Sequence, residues 1–426
     1  MNDKIRALMD FLDASRSVYH TVAYISDILD KAGYTHLPEG DDWTLEDGGK
    51  YYITRNMSTV IAFRIPHGEP AGFLLSASHS DRPSFKIKEN GELESKYIRL
   101  STERYGGMLM APWVDRPLSV AGRVMVETPT GVKMKLVDID QDLMIIPNVA
   151  IHMNRKVNEG YAYNPATDTI PLLGDRDVKG MFGRMIADQA QGRILGHDLF
   201  LYLRQKSTVW GIEQEFISSQ ALDDLQCAWA CLQGFLNASE SGSVPMYCLF
   251  DSEEVGSRSV SGADSTMLTS TMNRIARYLD ANLARMMSQS FLVSADNAHA
   301  VHPNHPEFAD PGNAPVMGGG VVLKFNASQR YTTDGISAAI FRKVCEKAGV
   351  KVQTFFNRAD LMGGSTLGHI SLTQVSVPTA DIGLPQLAMH SCYETAATAD
   401  ALALEKTMTA FYSTALTFDG ERIGLA

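Results

Sequence analysis

Cysteine is scarce in this chain: 426 residues contain five, Cys227, Cys231, Cys248, Cys345 and Cys392. An odd number in so long a chain excludes a disulfide framework as the organising device and fits a reducing, cytoplasmic compartment. Cys227 and Cys231 sit one helical turn apart around Trp229 inside an apolar pattern, which reads as core packing rather than metal ligation. Long apolar runs are also missing. None approaches the roughly 20 residues of a membrane-spanning helix, and the opening Met1-Asn2-Asp3-Lys4-Ile5-Arg6 lacks the apolar centre of a signal peptide. Basic residues are outnumbered, 38 Lys and Arg against 49 Asp and Glu, for a net charge of −11. That balance argues against a nucleic acid or an anionic membrane as partner. No repeat or low-complexity tract is present. What remains, 45% hydrophobic and 20% charged, is ordinary for a soluble globular enzyme, and the length calls for two domains, nested or in series.

The order of elements points to nesting. Ile5, Leu8, Met9, Phe11 and Leu12 recur at helical spacing, and the pattern resumes over 22–29. Strand-like segments follow at 51–53 and 60–63, and the run 72–78 reads as a buried strand of a mostly parallel sheet. From about 96 to 215 the character changes to alternating segments such as 119–126 and 132–137, followed by irregular Asp- and Gly-rich sequence around 173–192. Helix and strand then alternate again: helical over 222–236, strand at 246–250, helical over 264–287, strand at 292–295, with later helices at 337–347 and 402–417. The expectation is an α/β protein: a three-layer, mixed-sheet catalytic domain in two pieces, 1–95 and 216–426, interrupted by a β-rich insertion at 96–215.

The chemistry concentrates at strand ends, where open α/β sheets place their sites. Leu249-Phe250-Asp251-Ser252-Glu253-Glu254-Val255-Gly256-Ser257 puts two adjacent glutamates directly after an apolar strand. Such carboxylates either end in a solvated acidic loop or, if buried, need a compensating charge. A divalent metal supplies one, with one glutamate as ligand and its neighbour handling the proton of a water. His79 and Asp81 follow the 72–78 strand, Asp223 and Asp224 open the 222 helix, Asp296 follows 292–295, and His390 follows the apolar 382–389 segment. Mixed imidazole and carboxylate donors favour a borderline cation such as zinc, with manganese or cobalt as alternatives.

Ser78-His79-Ser80-Asp81, Leu222-Asp223-Asp224-Leu225, the Asp251–Ser257 motif, Ala295-Asp296-Asn297-Ala298-His299-Ala300 and Met389-His390-Ser391 occur in the order seen in M18 aminopeptidases. The stretches Ile146-Pro147-Asn148-Val149-Ala150-Ile151-His152 and Lys324-Phe325-Asn326-Ala327-Ser328-Gln329-Arg330-Tyr331 extend the match, and the resemblance covers about residues 5 to 417. It implies a zinc-peptidase domain carrying an inserted dimerisation domain, and two zinc ions per subunit, with Mn2+ or Co2+ at the looser site. Asp223 would bridge the ions, His79 and Asp296 would complete one site, and Glu254 and His390 the other. Glu253 would be the general base, and Asp81 would hydrogen-bond the His79 ring and fix its tautomer. The family's second aspartate position is often asparagine, which favours Asp223 over Asp224 as ligand. Asp115, beside Arg116, reads as an ion-pair partner rather than a bridge.

The resemblance further implies peptide substrates with a free N-terminus, dimers and a tetrahedral dodecamer, and a His152 that reaches a neighbouring subunit's active site. Lys324, inside the apolar run Val321-Val322-Leu323-Lys324-Phe325, is the candidate for selecting an acidic first residue, and Gly364 and Ser365 belong to a loop shaping that pocket. Tyr393 stands where arginine is common in the family. Some members prefer neutral, leucine-like residues. His299, His302 and His305 have a spacing of three, but Pro303 and Pro306 rule out a helical face, so His299 and His302 read as structural or supporting residues. Two rival functions are a deacylase or carboxypeptidase on the same scaffold, and a catalytically silent assembly protein.

Overall fold

A computed structural model describes residues 2–361 and 363–426. Its centre is a nine-stranded mixed sheet. In spatial order the strands are Thr35–His36, Lys50–Arg55, Thr59–Arg64, Val244–Phe250, Phe73–His79, Phe291–Ala295, Thr379–Gly383, Val321–Phe325 and Val352–Phe356. The four strands from Val244–Phe250 to Thr379–Gly383 run parallel, so their carboxyl ends emerge along one edge.

The layers follow from the strands' period of two. Leu74, Tyr247 and Leu249 pack into one apolar cluster with the helices Asp3–Ala14, Val18–Lys31, Leu222–Asn237, Gly335–Ala348 and Thr398–Tyr412. Phe73, Leu75, Met246, Cys248 and Phe250 point the other way, against Met267–Tyr278 and Leu367. A strand buried on both faces has no polar face to show, which is why 244–250 is a continuous apolar run rather than an alternating one. Two of the expected helices are shorter. The 264–287 segment is divided into Met267–Tyr278 and Leu283–Ser288 at Asp280, whose φ is 49°. The last helix ends at Tyr412 and is followed by the hairpin Leu416–Asp419 and Arg422–Leu425. A helix, Met181–Ala190, lies in the segment read as irregular.

The insertion is a six-stranded antiparallel sheet in the order Gly131–Asp138, Leu118–Thr128, Ile194–Leu203, Ser84–Glu94, Ile98–Tyr105 and Leu172–Gly174. It starts at Ser84 rather than near 96. The chain leaves the central sheet at Asp81-Arg82-Pro83, and a proline there cannot continue a ladder. A third sheet joins Thr208–Trp210, Phe216–Ser219, Glu394–Ala397, Pro385–Leu387 and Ala298–His299. It gathers the segments that flank Asp223, Asp296 and His390. Among the described residues no helix is long and apolar enough to cross a membrane, and all five cysteines are free and buried.

Candidate metal centre and active site

His79 is the last residue of its strand, paired in register with Phe250 of the neighbour. That register places the Glu253–Glu254 turn beside it. The Nε2 of His79 lies 3.5 Å from Asp223 Oδ1 and 3.9 Å from Asp296 Oδ1. On the other side of the same aspartate, His390 Nε2 is 3.4 Å from Asp223 Oδ2 and 3.4 Å from Glu254 Oε1. Three groups able to hold an ion result among the described residues: His79–Asp223–Asp296 and Asp223–Glu254–His390, which share Asp223, and His79–Glu253–Glu254. Asp224 points away: its Oδ2 accepts the His79 backbone N–H at 3.2 Å.

The backbone around the cluster is held in rarely used conformations. Ala221, Ser252, Ala388 and His390 have φ of 56°, 66°, 56° and 67°, unusual for residues with a Cβ and typical of sites where surrounding structure dictates the geometry. Gly383 allows a close approach: a Cβ there would lie 2.1 Å from the Asp296 carbonyl oxygen. Gly106, at φ +74°, brings the inserted domain's backbone over Glu254.

The Asp81 side chain does something other than expected. The His79 ring bonds the Asp81 backbone carbonyl at 3.0 Å, with the carboxylate at 3.5 Å. That carboxylate accepts the N–H groups of Glu253 and Glu254 at 3.0 and 3.1 Å and the Tyr105 hydroxyl at 2.7 Å. Asp81 therefore ties the glutamate turn to the histidine strand, and Tyr105 ties both to the insertion. Asp115 is not ion-paired with Arg116 among the described residues. Its carboxylate accepts the Asn148 N–H at 2.9 Å while Arg116 bonds Gln205, because the φ of 58° at Asp115 turns the chain toward 148.

Glu394 is the supporting residue that the sequence reading left without a role. Buried, it accepts the N–H of Asp223 at 2.9 Å on one oxygen and that of His390 at 2.7 Å on the other. One side chain thus positions the shared ligand and a terminal ligand. A carboxylate four residues after the histidine is the signal the sequence offers.

The charges demand a cation. Burial, reinforced by Asp223 and Glu253, raises Glu254 well above the carboxylate range. Burial, with Asp296, Asp81 and Asp223 adding repulsion against His79, pushes Glu253 up to about 8. Asp223 is held low because its His390 and His79 contacts outweigh burial. Asp223 Oδ1 and Glu254 Oε1 are buried with no hydrogen-bond donor. Unsatisfied buried carboxylate oxygens facing two imidazoles suit divalent metal ions.

A cavity of about 270 Å³ opens over this cluster, lined by Glu253, His299, Lys324, Gly364, Ser365 and Thr366 among others. Lys324, 1% exposed, lies at its floor. Its ammonium donates to the carbonyls of Asp296 at 2.8 Å and Asn297 at 3.2 Å, lies 3.8 Å from Asp296 Oδ2 and sits 5.1 Å from the Tyr331 ring centre. Burial opposes its charge, yet Asp296 and Tyr331 outweigh that and raise it to about 12. His299 joins the cavity wall, whereas His302 and His305 pair through their backbones outside the metal cluster. His152 is exposed on a turn away from this cavity. The Tyr393 hydroxyl bonds the Lys206 carbonyl at 2.8 Å, so it braces the third sheet.

A three-layer fold with histidine and carboxylate side chains gathered at strand ends, two glutamates side by side and a pocket over them define a metal-dependent hydrolase. The comparisons make that specific. The M18 family profile, described as aminopeptidase I zinc metalloprotease, matches residues 11–412. The "Probable M18 family aminopeptidase 2" of Clostridium novyi (strain NT) is 43% identical, covering 92% of this chain and 95% of that one. The structure of the Ape4 and Nbr1 complex superposes with a TM-score of 0.92 at 33% identity, covering 96% of this chain and 85% of that chain. The S. cerevesiae mApe1 dodecamer superposes with a TM-score of 0.84 at 26% identity over 96% of each chain. The chain belongs to the M18 family and is a zinc metalloaminopeptidase, a hydrolase of peptide bonds.

Proposed function

We propose that this aminopeptidase is a co-catalytic dizinc enzyme that removes acidic residues, Asp or Glu, from the N-termini of peptides. The observation that carries the two-ion reading is the shared carboxylate, with Asp223 Oδ1 facing His79 at 3.5 Å and Oδ2 facing His390 at 3.4 Å. His79, Asp223 and Asp296 would hold one ion, and Asp223, Glu254 and His390 the other. The His390 side is the more accessible and the better candidate for Mn2+ or Co2+. Bound there, the pair would supply Lewis acidity toward a peptide carbonyl and a water. Glu253, on the cavity wall, takes a proton from the attacking water and returns it to the departing amine. A carboxylate beside the cluster and open to the cavity is placed for both halves of that transfer. Asp81 keeps Glu253 in place through its backbone N–H.

Lys324 supports the acidic preference. It is a buried cation facing the cavity, with two carbonyl partners for its three donors, which leaves a donor for a substrate carboxylate. Gly364 and Ser365 shape the pocket's rim. Those same carbonyl bonds favour a second reading, in which Lys324 only braces the Asp296 loop and the pocket takes neutral, leucine-like residues.

Self-association into dimers and a dodecamer is supported by the mApe1 dodecamer. Val149, Ile151 and Met153, the last 84% exposed, flank His152, a composition suited to docking on a second copy that receives His152 in its active site. Five buried free thiols support a reducing, cytoplasmic location.

The experiment is a panel of aspartyl, glutamyl, leucyl and lysyl chromogenic amides, after chelation and titration with zinc, manganese or cobalt. Restoration at two metal equivalents, led by acidic amides, supports the whole reading. Leadership by leucyl would remove the role of Lys324, and saturation at one equivalent would remove the second ion.

A further inference from the structure

Beside the metal pocket lies a second, larger concavity of about 580 Å³. It shares His299, Phe355, Gly364 and Met389 with the first, so the two form one continuous trough. Its far wall is apolar: Phe308 is 58% exposed and Leu361 44% exposed, and Phe356 stacks on Phe325 at 5.2 Å. Exposed aromatic and aliphatic side chains grouped around a cleft mark a surface that gains from being covered. Its charged groups are already engaged. Arg358 is held by Asp360 and by the Glu307 carbonyl, and His305 contacts Glu307 at 2.9 Å. Among the described residues the lining holds no unpaired Lys, Arg, Asp or Glu side chain to select a charged ligand.

The two compartments cannot both take residues ahead of the cleaved bond. An aminopeptidase holds a single residue on that side, and the rest of the peptide leaves on the other. The smaller pocket, floored by Lys324 and walled by the metal ligands, suits the terminal residue. We infer that the Phe308–Phe356–Leu361 cleft binds the residue after the scissile bond and selects a large apolar side chain there, aromatic or branched aliphatic. The inference rests on assigning the Lys324 pocket to the first residue. The preferred substrate is then a peptide with an apolar second residue, whatever the enzyme's choice at the first.

The test uses the metal-loaded, assembled enzyme and peptides of fixed first residue, with Phe, Leu, Ala, Lys or Asp second. The expected result is kcat/KM for Phe and Leu on the order of tenfold above Ala, with Lys and Asp lowest and the difference mainly in KM. Phe308→Ala, at an exposed position, should reduce the Phe-to-Ala selectivity ratio by most of that factor, and Leu361→Ala should reduce the Leu-to-Ala ratio. A flat second-residue series, or unchanged ratios in both variants, overturns the inference. The first-residue preference is read from a separate series with the second residue held at Ala, so either assignment can fail while the other stands.

Discussion

The two sheets that meet at the active site solve different problems. The nine-stranded sheet is covered on both faces, and its central parallel strands end together, so His79, Glu254 and Asp296 converge there, where loops of the third sheet bring Asp223 and His390 to the same candidate metal groups. The inserted sheet is antiparallel, and among the described residues none of its side chains joins the candidate metal groups. It supplies braces, Tyr105 on Asp81 and Gly106 over Glu254, and the exposed segment carrying His152. Reactive groups sit where burial can shift their protonation and hold their geometry. Groups that adjust, cover or connect come from the element that can vary without unmaking the core.

The sharpest way to break that contrast is at the shared ligand. Asp223→Ala should release metal from both clusters and lower kcat/KM by more than about 10³-fold, since several kcal/mol of charge stabilisation depend on the ions. Full metal content by elemental analysis would assign the bridge elsewhere. Glu253→Gln should keep its metal and lose about 10²- to 10⁴-fold in kcat; near-normal turnover would remove it as the base.

On the insertion side, His152→Phe should cost about 10- to 100-fold in kcat/KM, the scale of a misplaced substrate contact, with unchanged melting and assembly. No effect would leave His152 as a surface side chain and confine the site to one subunit.

A subtler contrast lies in pH. Without metal, Glu253 and Glu394 titrate near 8, raised chiefly by burial, and His79 is raised above its usual range by its carboxylate neighbours despite burial. All three bind protons more tightly in the folded state than in the unfolded one, so folding stability falls as pH rises from about 5 to about 8. Metal-stripped enzyme should therefore lose several degrees of melting temperature across that window, and zinc-loaded enzyme much less. Parallel curves would mean the ligand cluster is not the source. The smallest effect belongs to Tyr105→Phe, which removes one hydrogen bond to a carboxylate. A roughly three- to tenfold loss of zinc affinity is expected, and unchanged affinity would show that the insertion does not support the metal centre.

Much of this was legible in the chain. His79, Glu253, Glu254, Asp296 and His390 were singled out because each follows an apolar segment, and the structure brings all of them to one cavity or one ligand cluster with Asp223. Asp115 was legible only as a residue to set aside; its partner, the Asn148 backbone, is 33 residues away and leaves no local mark. The strand Ser84–Glu94 reads in sequence as a continuation of the preceding strands; its pairing with Ile98–Tyr105 and Ile194–Leu203 is visible only in the fold.

The sequence by itself determined the residue types at the strand ends, the layers of the core and the family, since these depend on periodicity and on short motifs whose spacing survives in one dimension. Only the tertiary structure decided which atoms meet. It gave the His79 ring to the Asp81 carbonyl, the Asp81 carboxylate to the glutamate turn, two carbonyls to Lys324, and both Asp223 and His390 to Glu394. Most of those contacts join segments far apart in the chain, and their geometry is set by strand register and by burial, which local sequence does not encode.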